Sequence, residues 1–115
     1  MQYMLLIYRS EAAIEAASKA DTGQMMAAYG AYSEAMVKAG VMVSGNRLHP
    51  TSTATTVRSP AGKAQVLDGP YAETKEQLGG YFLIEAPDLD TALSWAERCP
   101  GAALGAIEVR PIWVM

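Results

Sequence analysis

Hydrophobic and polar residues follow one another along the chain in patterns that predict both strands and helices. From Met1 to Tyr8, apolar side chains fall on both faces of an extended segment, which predicts a strand covered on both sides. Short apolar runs bounded by glycine or proline predict three further strands, over 41–48, 81–85 and 106–113.

The first long helix is predicted between Asp21 and Gly40. Its apolar residues are spaced i, i+4, i+7 and i+11, which places on one face Met25, Tyr29, Tyr32 and Met36. Asp21 is the predicted N-cap, with Gln24 three residues later, and Gly40 is the predicted stop signal. The alanine-rich stretch 11–20 before it predicts no more than a short helical turn.

A second helix is predicted to follow Pro87. Asp88 is its predicted N-cap, and Pro100 with Gly101 ends it. Its predicted core stripe consists of Leu89, Ala92, Leu93 and Ala96. The one cysteine, Cys99, falls at the end of this helix, where the helix dipole disfavours a thiolate, and we interpret it as structural.

The segment between the second and third strands predicts a hairpin and a polar excursion. The hairpin spans Thr53–Leu67 around a turn at 59–62, and the sequence leaves open whether it completes a partner's sheet or stands free. In the excursion, Thr74 and Gln77 match a capping box, which predicts one helical turn stopped by Gly79-Gly80.

Without the hairpin, the element order is βαββαβ, which is the order of a ferredoxin-like α+β domain. We therefore predict one domain over residues 1–115, with two helices that cover only one face of the sheet. Because the strand at 1–8 is apolar on both faces, we expect a second copy to cover the open face and form a homodimer.

Composition excludes several function classes. The net charge is −3, and the nine Lys and Arg residues are scattered, so no basic stripe for direct nucleic-acid binding is present. One His and one Cys, far apart, do not make a zinc site, and we predict no metal or cofactor. With no membrane-length apolar run and no signal-peptide pattern, we expect a cytoplasmic protein that does not enter the membrane.

Residues 68–80 concentrate charge and turn chemistry, and they carry a family resemblance. They read Asp-Gly-Pro-Tyr-Ala-Glu-Thr-Lys-Glu-Gln-Leu-Gly-Gly, which resembles the signature of the DGPF branch of the YCII-related superfamily, with Tyr71 in place of a Phe. The similarity extends to 1–8, 54–58 and 107–111. The resemblance implies a dimeric α+β barrel and, by association, a partnership with extracytoplasmic-function sigma factors.

The resemblance also implies where catalysis does not occur. The better-known YCII branch has a His in the first long helix and an Asp before the proline that ends the second, proposed as a catalytic pair. The corresponding positions here are Tyr29 and Cys99, which cannot replace such a pair.

Four residues remain as candidates for catalysis. Asp68 is either an acid, base or ligand anchor, or a turn residue that accepts local amide hydrogen bonds. Glu73 and Lys75 either bind a ligand and move protons or belong, with Glu76, to a solvated turn. His49 is either the proton shuttle or a loop residue beside Pro50.

Three tyrosines are candidate ligand contacts, namely Tyr71, Tyr29 and Tyr32, although the last two also fit the helical core stripe. Two functions remain open. The chain either binds a small polar metabolite near the Asp-Gly-Pro-Tyr motif, as a cofactor-independent enzyme or a binding protein, or acts as an accessory or regulatory protein through a protein partner.

Overall fold

The computed structural model describes residues 1–115 and contains six strands and three α-helices. The strands are β1 (Gln2–Arg9), β2 (Met42–Arg47), β3 (Thr55–Arg58), β4 (Gln65–Asp68), β5 (Gln77–Glu85) and β6 (Ala106–Pro111). The helices are α1 (Glu11–Ala16), α2 (Lys19–Lys38) and α3 (Leu89–Arg98). Short 3₁₀ turns cover Thr51–Thr53, Pro60–Gly62 and Pro100–Ala103.

Four of the strands form one antiparallel sheet in the order β2-β5-β1-β6. This order is the one a βαββαβ chain adopts in the ferredoxin-like fold, so the predicted α+β class is confirmed. The inserted hairpin is also confirmed, since β3 and β4 pair only with each other in a separate two-stranded sheet.

The core lies between the helices and one face of the sheet. On β1 the side chains of Tyr3, Leu5 and Ile7 are buried, whereas Met4 and Leu6 on the opposite face remain half-exposed. The predicted burial of both faces therefore does not occur within a single chain. Alternation along β1 places one apolar set under the helices and leaves the other on an open sheet face.

The predicted face of α2 is confirmed, but its start is not. Tyr32 and Met36 are buried and Met25 and Tyr29 are half-buried. The helix begins two residues before Asp21, because the Ser18 hydroxyl accepts the Asp21 amide hydrogen bond at 3.1 Å and so acts as the N-cap. Its end at Gly40 is confirmed by a φ of +73°.

The α3 helix keeps its predicted cap and half of its predicted core stripe, since Ala92 and Ala96 are buried but the two leucines are not. Asp88 accepts the Thr91 amide hydrogen bond at 2.8 Å. Leu89 and Leu93 are 48% and 42% exposed, and the buried face consists of Ala92, Trp95, Ala96 and, just after the helix, Cys99. The bulky Trp95 ring rotates the buried face away from the leucines.

The predicted helical turn at 74–77 is wrong. The Thr74 hydroxyl donates to the Glu76 carbonyl at 2.6 Å instead of accepting an amide, and the Gln77 side chain bonds to the Thr74 carbonyl. Strand β5 starts at Gln77 and runs through Gly79 and Gly80, so the two glycines do not interrupt it. Gly80 lies close to the Asn46 carbonyl, where a Cβ would approach to 2.8 Å.

Candidate functional site

A cleft with several charged side chains lies at the end of the sheet where β1 and β2 finish and β5 begins. It encloses about 830 Å³ and is formed by α1, the 47–52 segment and the signature segment after β4. Only two of its 13 lining residues are hydrophobic, Ile14 and Leu48. A depression on the open sheet face, beside Met4 and Trp113, encloses only about 240 Å³. Its larger size and its several charged side chains therefore favour the cleft as a ligand site.

Glu11 builds one wall of the cleft. One of its carboxylate oxygens accepts the Thr51 amide hydrogen bond at 2.8 Å, and the other accepts the Thr51 hydroxyl hydrogen bond at 2.7 Å. The Glu11 amide in turn donates to the Gln77 side chain at 2.9 Å. These bonds hold α1, the 47–52 segment and the start of β5 in a fixed arrangement.

Gly69 shapes the other wall. It has a φ of +115°, a conformation that residues with a Cβ rarely adopt, and its amide donates to the Ala54 carbonyl at 2.7 Å. The Gly69 carbonyl accepts a hydrogen bond from the Thr56 hydroxyl at 2.8 Å. The Asp-Gly-Pro sequence thus closes the base of the hairpin and directs the following residues, Pro70 and Glu73, along the cleft.

Charged residues of both signs line the cleft. Arg47, His49, Glu15 and Glu73 all lie on its surface. The chain has two ion pairs, one between the N-terminal amino group and Glu85 and one between Lys38 and Glu34. Arg47 therefore has no carboxylate within 4.0 Å. An unpaired guanidinium and unpaired carboxylates in one cleft can contact different groups of a single polar ligand.

The structure brings together two of the four predicted catalytic residues. All four are exposed; His49 and Glu73 line the cleft, whereas Asp68 and Lys75 do not. The tyrosine of the signature, Tyr71, is 77% exposed, and the Arg58 guanidinium lies 5.0 Å from its ring centroid. The roles assigned to these residues remain predictions.

Tyr29 and Tyr32 are placed in the core rather than on the cleft. The Tyr32 hydroxyl donates to the Trp95 carbonyl at 2.7 Å, and Tyr29 stacks against Phe82. Burial raises the pKa of both phenols well above the ordinary value. Both hydroxyls are therefore neutral near pH 7 and serve packing and hydrogen bonding in this position.

Tyr29 and Cys99 contact each other. They occupy the positions that correspond to the His and the Asp of the better-known YCII branch. The Cys99 thiol donates to the Tyr29 hydroxyl at 3.8 Å, and burial raises the pKa of the thiol. Gly101 packs directly against the Tyr29 hydroxyl, where a Cβ would come within 2.5 Å. A neutral phenol and a neutral thiol do not make a general base at pH 7, which agrees with the structural interpretation of Cys99.

Sequence reasoning missed Glu11, Arg47 and Thr51. Glu11 and Thr51 are 40 residues apart and meet only through the fold. Arg47 has a local signal, because it lies two residues before the single His of the chain. No local pattern marks Glu11 or Thr51, because their proximity depends on which segments meet at the end of the sheet.

Two further observations concern other classes of site. No group of three or more His, Cys, Asp or Glu side chains is close enough to hold a metal ion. None of the helices combines the length and the hydropathy that a membrane span requires.

Fold and cleft together define a small ferredoxin-like α+β domain with a cleft at one end of its sheet. The chain belongs to the YCII-related domain family, whose model matches residues 1–115. It is 41% identical over 114 residues to an uncharacterised protein of Rhizobium meliloti strain 1021, and this match covers 97% of the chain and 92% of the relative.

Among solved structures, the chain is similar to 5-chloro-2-hydroxyhydroquinone dehydrochlorinase (TftG) of Burkholderia phenoliruptrix AC1100 in complex with 2,5-dihydroxybenzoquinone. The TM-score is 0.59 at 17% sequence identity, and the match covers 98% of this chain and 94% of the other. At this identity the similarity establishes a shared fold.

Proposed function

We propose that the chain binds a small polar metabolite in the cleft between α1 and the signature segment. The observation that carries this proposal is the unpaired Arg47 in a cleft of about 830 Å³ that is also lined by His49 and Glu73. A guanidinium without a carboxylate partner is well suited to an anionic group of a ligand, because it presents two parallel N–H donors.

Two neighbouring residues supply the proposed chemistry. His49 carries the only imidazole of the cleft, and imidazole is the side chain that most often serves as a general acid or base. Glu73, on the opposite wall, accepts a hydrogen bond from a hydroxyl or amino group of the ligand. If a reaction follows binding, it is a proton transfer that needs no cofactor, with His49 as the acid or base.

The comparisons support this proposal at the level of the fold. The solved relative is named as a dehydrochlorinase and holds a small dihydroxyquinone, so a protein of this architecture accommodates a compact polar ligand. The residues 68–80 further support assignment to the DGPF branch of the family. Asp68 and Lys75 are proposed to flank the mouth of the cleft, since Asp68 directly precedes the cleft residue Gly69.

A thermal-shift screen against a library of small polar metabolites tests the proposal. A ligand at a hundred times its Kd stabilises the native state by about 2.7 kcal/mol, which raises the Tm of a domain of this size by about 10 °C. We expect this shift in the wild type and its loss in Arg47→Gln and His49→Gln. The matched control is Lys19→Gln, an exposed cation at the start of α2, which should retain the full shift.

Equal shifts in the wild type and in both cleft variants would place the ligand elsewhere and contradict the proposal. The alternative, an accessory protein that acts through a protein partner such as a sigma factor, stays a prediction. It requires an apolar surface that neither the core nor a second copy covers.

A further inference from the structure

Two side chains of opposite charge line the cleft without pairing with each other. Arg47 is the last residue of β2 and belongs to one wall, and Glu73 follows Pro70 on the other wall. Neither has an oppositely charged group within 4.0 Å. A guanidinium and a carboxylate therefore border one common space, in which each is free to bind a group of opposite charge.

The wall that carries Arg47 is fixed by hydrogen bonds on both sides of the cleft. The Leu48 amide donates to the Gly79 carbonyl at 2.9 Å, which continues the pairing of β2 with β5 by one residue. Farther along the same segment, the amide and the hydroxyl of Thr51 donate to the Glu11 carboxylate. The backbone that bears the guanidinium is thus held in place before any ligand arrives.

The wall that carries Glu73 is fixed by contacts of its immediate neighbours. Two residues before it, the ring of Tyr71 lies with its centroid 5.0 Å from the Arg58 guanidinium. One residue after it, the Thr74 carbonyl accepts a hydrogen bond from the Gln77 side chain. Movement of this wall toward the other breaks these contacts. The charges are therefore held apart in advance, and a ligand that joins them pays little to order the site.

The balance of charge in the cleft selects among ligands. Its lining contains one permanent cation, Arg47, and the three carboxylates Glu11, Glu15 and Glu73. Glu11 is engaged by Thr51, whereas Glu15 and Glu73 have no ion-pair partner. A purely anionic ligand gains the guanidinium but is repelled by the carboxylates, and a purely cationic ligand is repelled by the guanidinium. A ligand with both charges avoids either conflict.

The cleft also offers carbon surface beside its charges. Ile14 from α1, Leu48 from the 47–52 segment and Pro70 from the signature segment each line it. Every segment that builds the cleft thus contributes an apolar residue as well as a charged one. This combination suits a ligand whose charged groups are joined by a short hydrocarbon frame.

We propose that the cleft binds a small zwitterion, with a carboxylate on Arg47 and a protonated amine on Glu73. The inference rests on the proposed function and narrows its ligand to one chemical class, amino acids in which the two charged groups are joined by a hydrocarbon frame. The guanidinium presents two parallel donors to the carboxylate, and an ammonium group donates up to three hydrogen bonds. Glu15 supplies a second acceptor for the amine.

Calorimetric titration with matched compounds at neutral pH tests the charge requirement. The amino acids are L-phenylalanine, γ-aminobutyrate and ε-aminocaproate, which differ in the distance between their charges. Hydrocinnamate, butyrate and caproate lack only the amine, and phenethylamine, propylamine and pentylamine lack only the carboxylate. We expect at least one amino acid to bind with a Kd at least about tenfold lower than those of both its singly charged partners, since hydrogen bonds between two charged groups are the strong ones.

Two substitutions assign the charges to their residues. Glu73→Gln should raise the Kd of that amino acid at least about tenfold and leave the Kd of its amine-free partner unchanged, whereas Arg47→Gln should weaken both. Both side chains are exposed, so neither substitution removes a core contact. The matched control is Glu76→Gln, an exposed carboxylate of the same segment that does not line the cleft, and it should bind as the wild type does.

The outcomes separate this inference from the proposal on which it rests. If the amine-free compounds bind as tightly as the amino acids and lose affinity only in Arg47→Gln, the zwitterion is wrong and the cleft remains the metabolite site. If none of the compounds binds, the zwitterion is again wrong, and the library screen described above decides on the cleft. Tight binding that survives both substitutions contradicts both proposals.

Discussion

Glu11 and Thr51 are joined by two hydrogen bonds, one to each oxygen of the Glu11 carboxylate, at 2.8 and 2.7 Å. This pair connects the start of α1 to the segment that leads into the hairpin. It forms a wall of the cleft and also fixes the base of the β3–β4 hairpin.

Removal of this anchor should weaken the fold. Glu11→Ala is expected to lower the free energy of unfolding by about 1–3 kcal/mol, since two charge-assisted hydrogen bonds are lost at a half-buried position. Glu11→Gln should cost less than about 1 kcal/mol, because an amide can accept from the Thr51 amide and donate to its hydroxyl. Urea denaturation measures both. Glu15→Ala, at an exposed acidic residue of the same helix, is the control, and an equal loss there would indicate a general effect of charge on α1.

Tyr32 should contribute a buried hydrogen bond to stability. In Tyr32→Phe the Trp95 carbonyl loses its partner inside the core, so we expect a loss of about 1–3 kcal/mol in the free energy of unfolding. The matched control is Tyr81→Phe, which removes an exposed hydrogen bond from the Asn46 side chain and should change stability by less than about 0.5 kcal/mol. If both substitutions lower the free energy of unfolding equally, the burial of the Tyr32 hydrogen bond does not account for its contribution to stability.

The Cys99 thiol should be unreactive in the native protein. It is 2% exposed, and burial raises its pKa, so both access and thiolate fraction are low. Labelling with a thiol-specific disulfide reagent near pH 8 should be at least about tenfold slower in the native state than in denaturing guanidinium. Rapid labelling of the folded protein would contradict the structural role assigned to this residue.

Stability should fall as the solution becomes alkaline. The pKa values of Cys99, Tyr29 and Tyr32 are raised in the folded state above the ordinary values of 9.0 and 10.0. Between the ordinary pKa and the raised one, the unfolded chain has lost a proton that the folded chain keeps, so the unfolded state is favoured as pH increases. The stability that these three groups contribute is thus fully present below about pH 9 and is lost as the pH rises above it.

Urea midpoints from about pH 8 to about pH 11 measure this decline. Cys99→Ala should remove the part that begins near pH 9, and Tyr29→Phe should reduce the part that begins near pH 10. Tyr71→Phe is the control, because that ring is 77% exposed, and its pH dependence should match the wild type. A flat profile in the wild type would show that these groups titrate alike in both states.

The sequence by itself determined the elements and their order. A continuous apolar run marked β1, helical spacing marked the buried face of α2, and local signals such as Asp88 and Gly40 marked helix ends. These signals are short-range, since a side-chain period or a cap depends on residues within a few positions. The βαββαβ order then left few topologies to choose from, and the ferredoxin-like sheet followed.

Where two local signals competed, the tertiary structure decided. The capping-box pattern of Thr74 and Gln77 does not produce a helical turn, because the pairing of β5 with β1 from Gln77 onward offers more hydrogen bonds than one helical turn. In α3, the large Trp95 ring occupies the core and the leucines remain outside.

Only the tertiary structure decided the site. The cleft brings together residues from α1, the 47–52 segment and the signature, which are distant along the chain. Sequence reasoning identified His49 and Glu73 by their chemistry, but Glu11 and Arg47 acquire their positions from the meeting of β1, β2 and β5 at one end of the sheet. The residue types show which chemistry is possible, whereas the proximity of these residues depends on long-range strand pairing that no local pattern specifies.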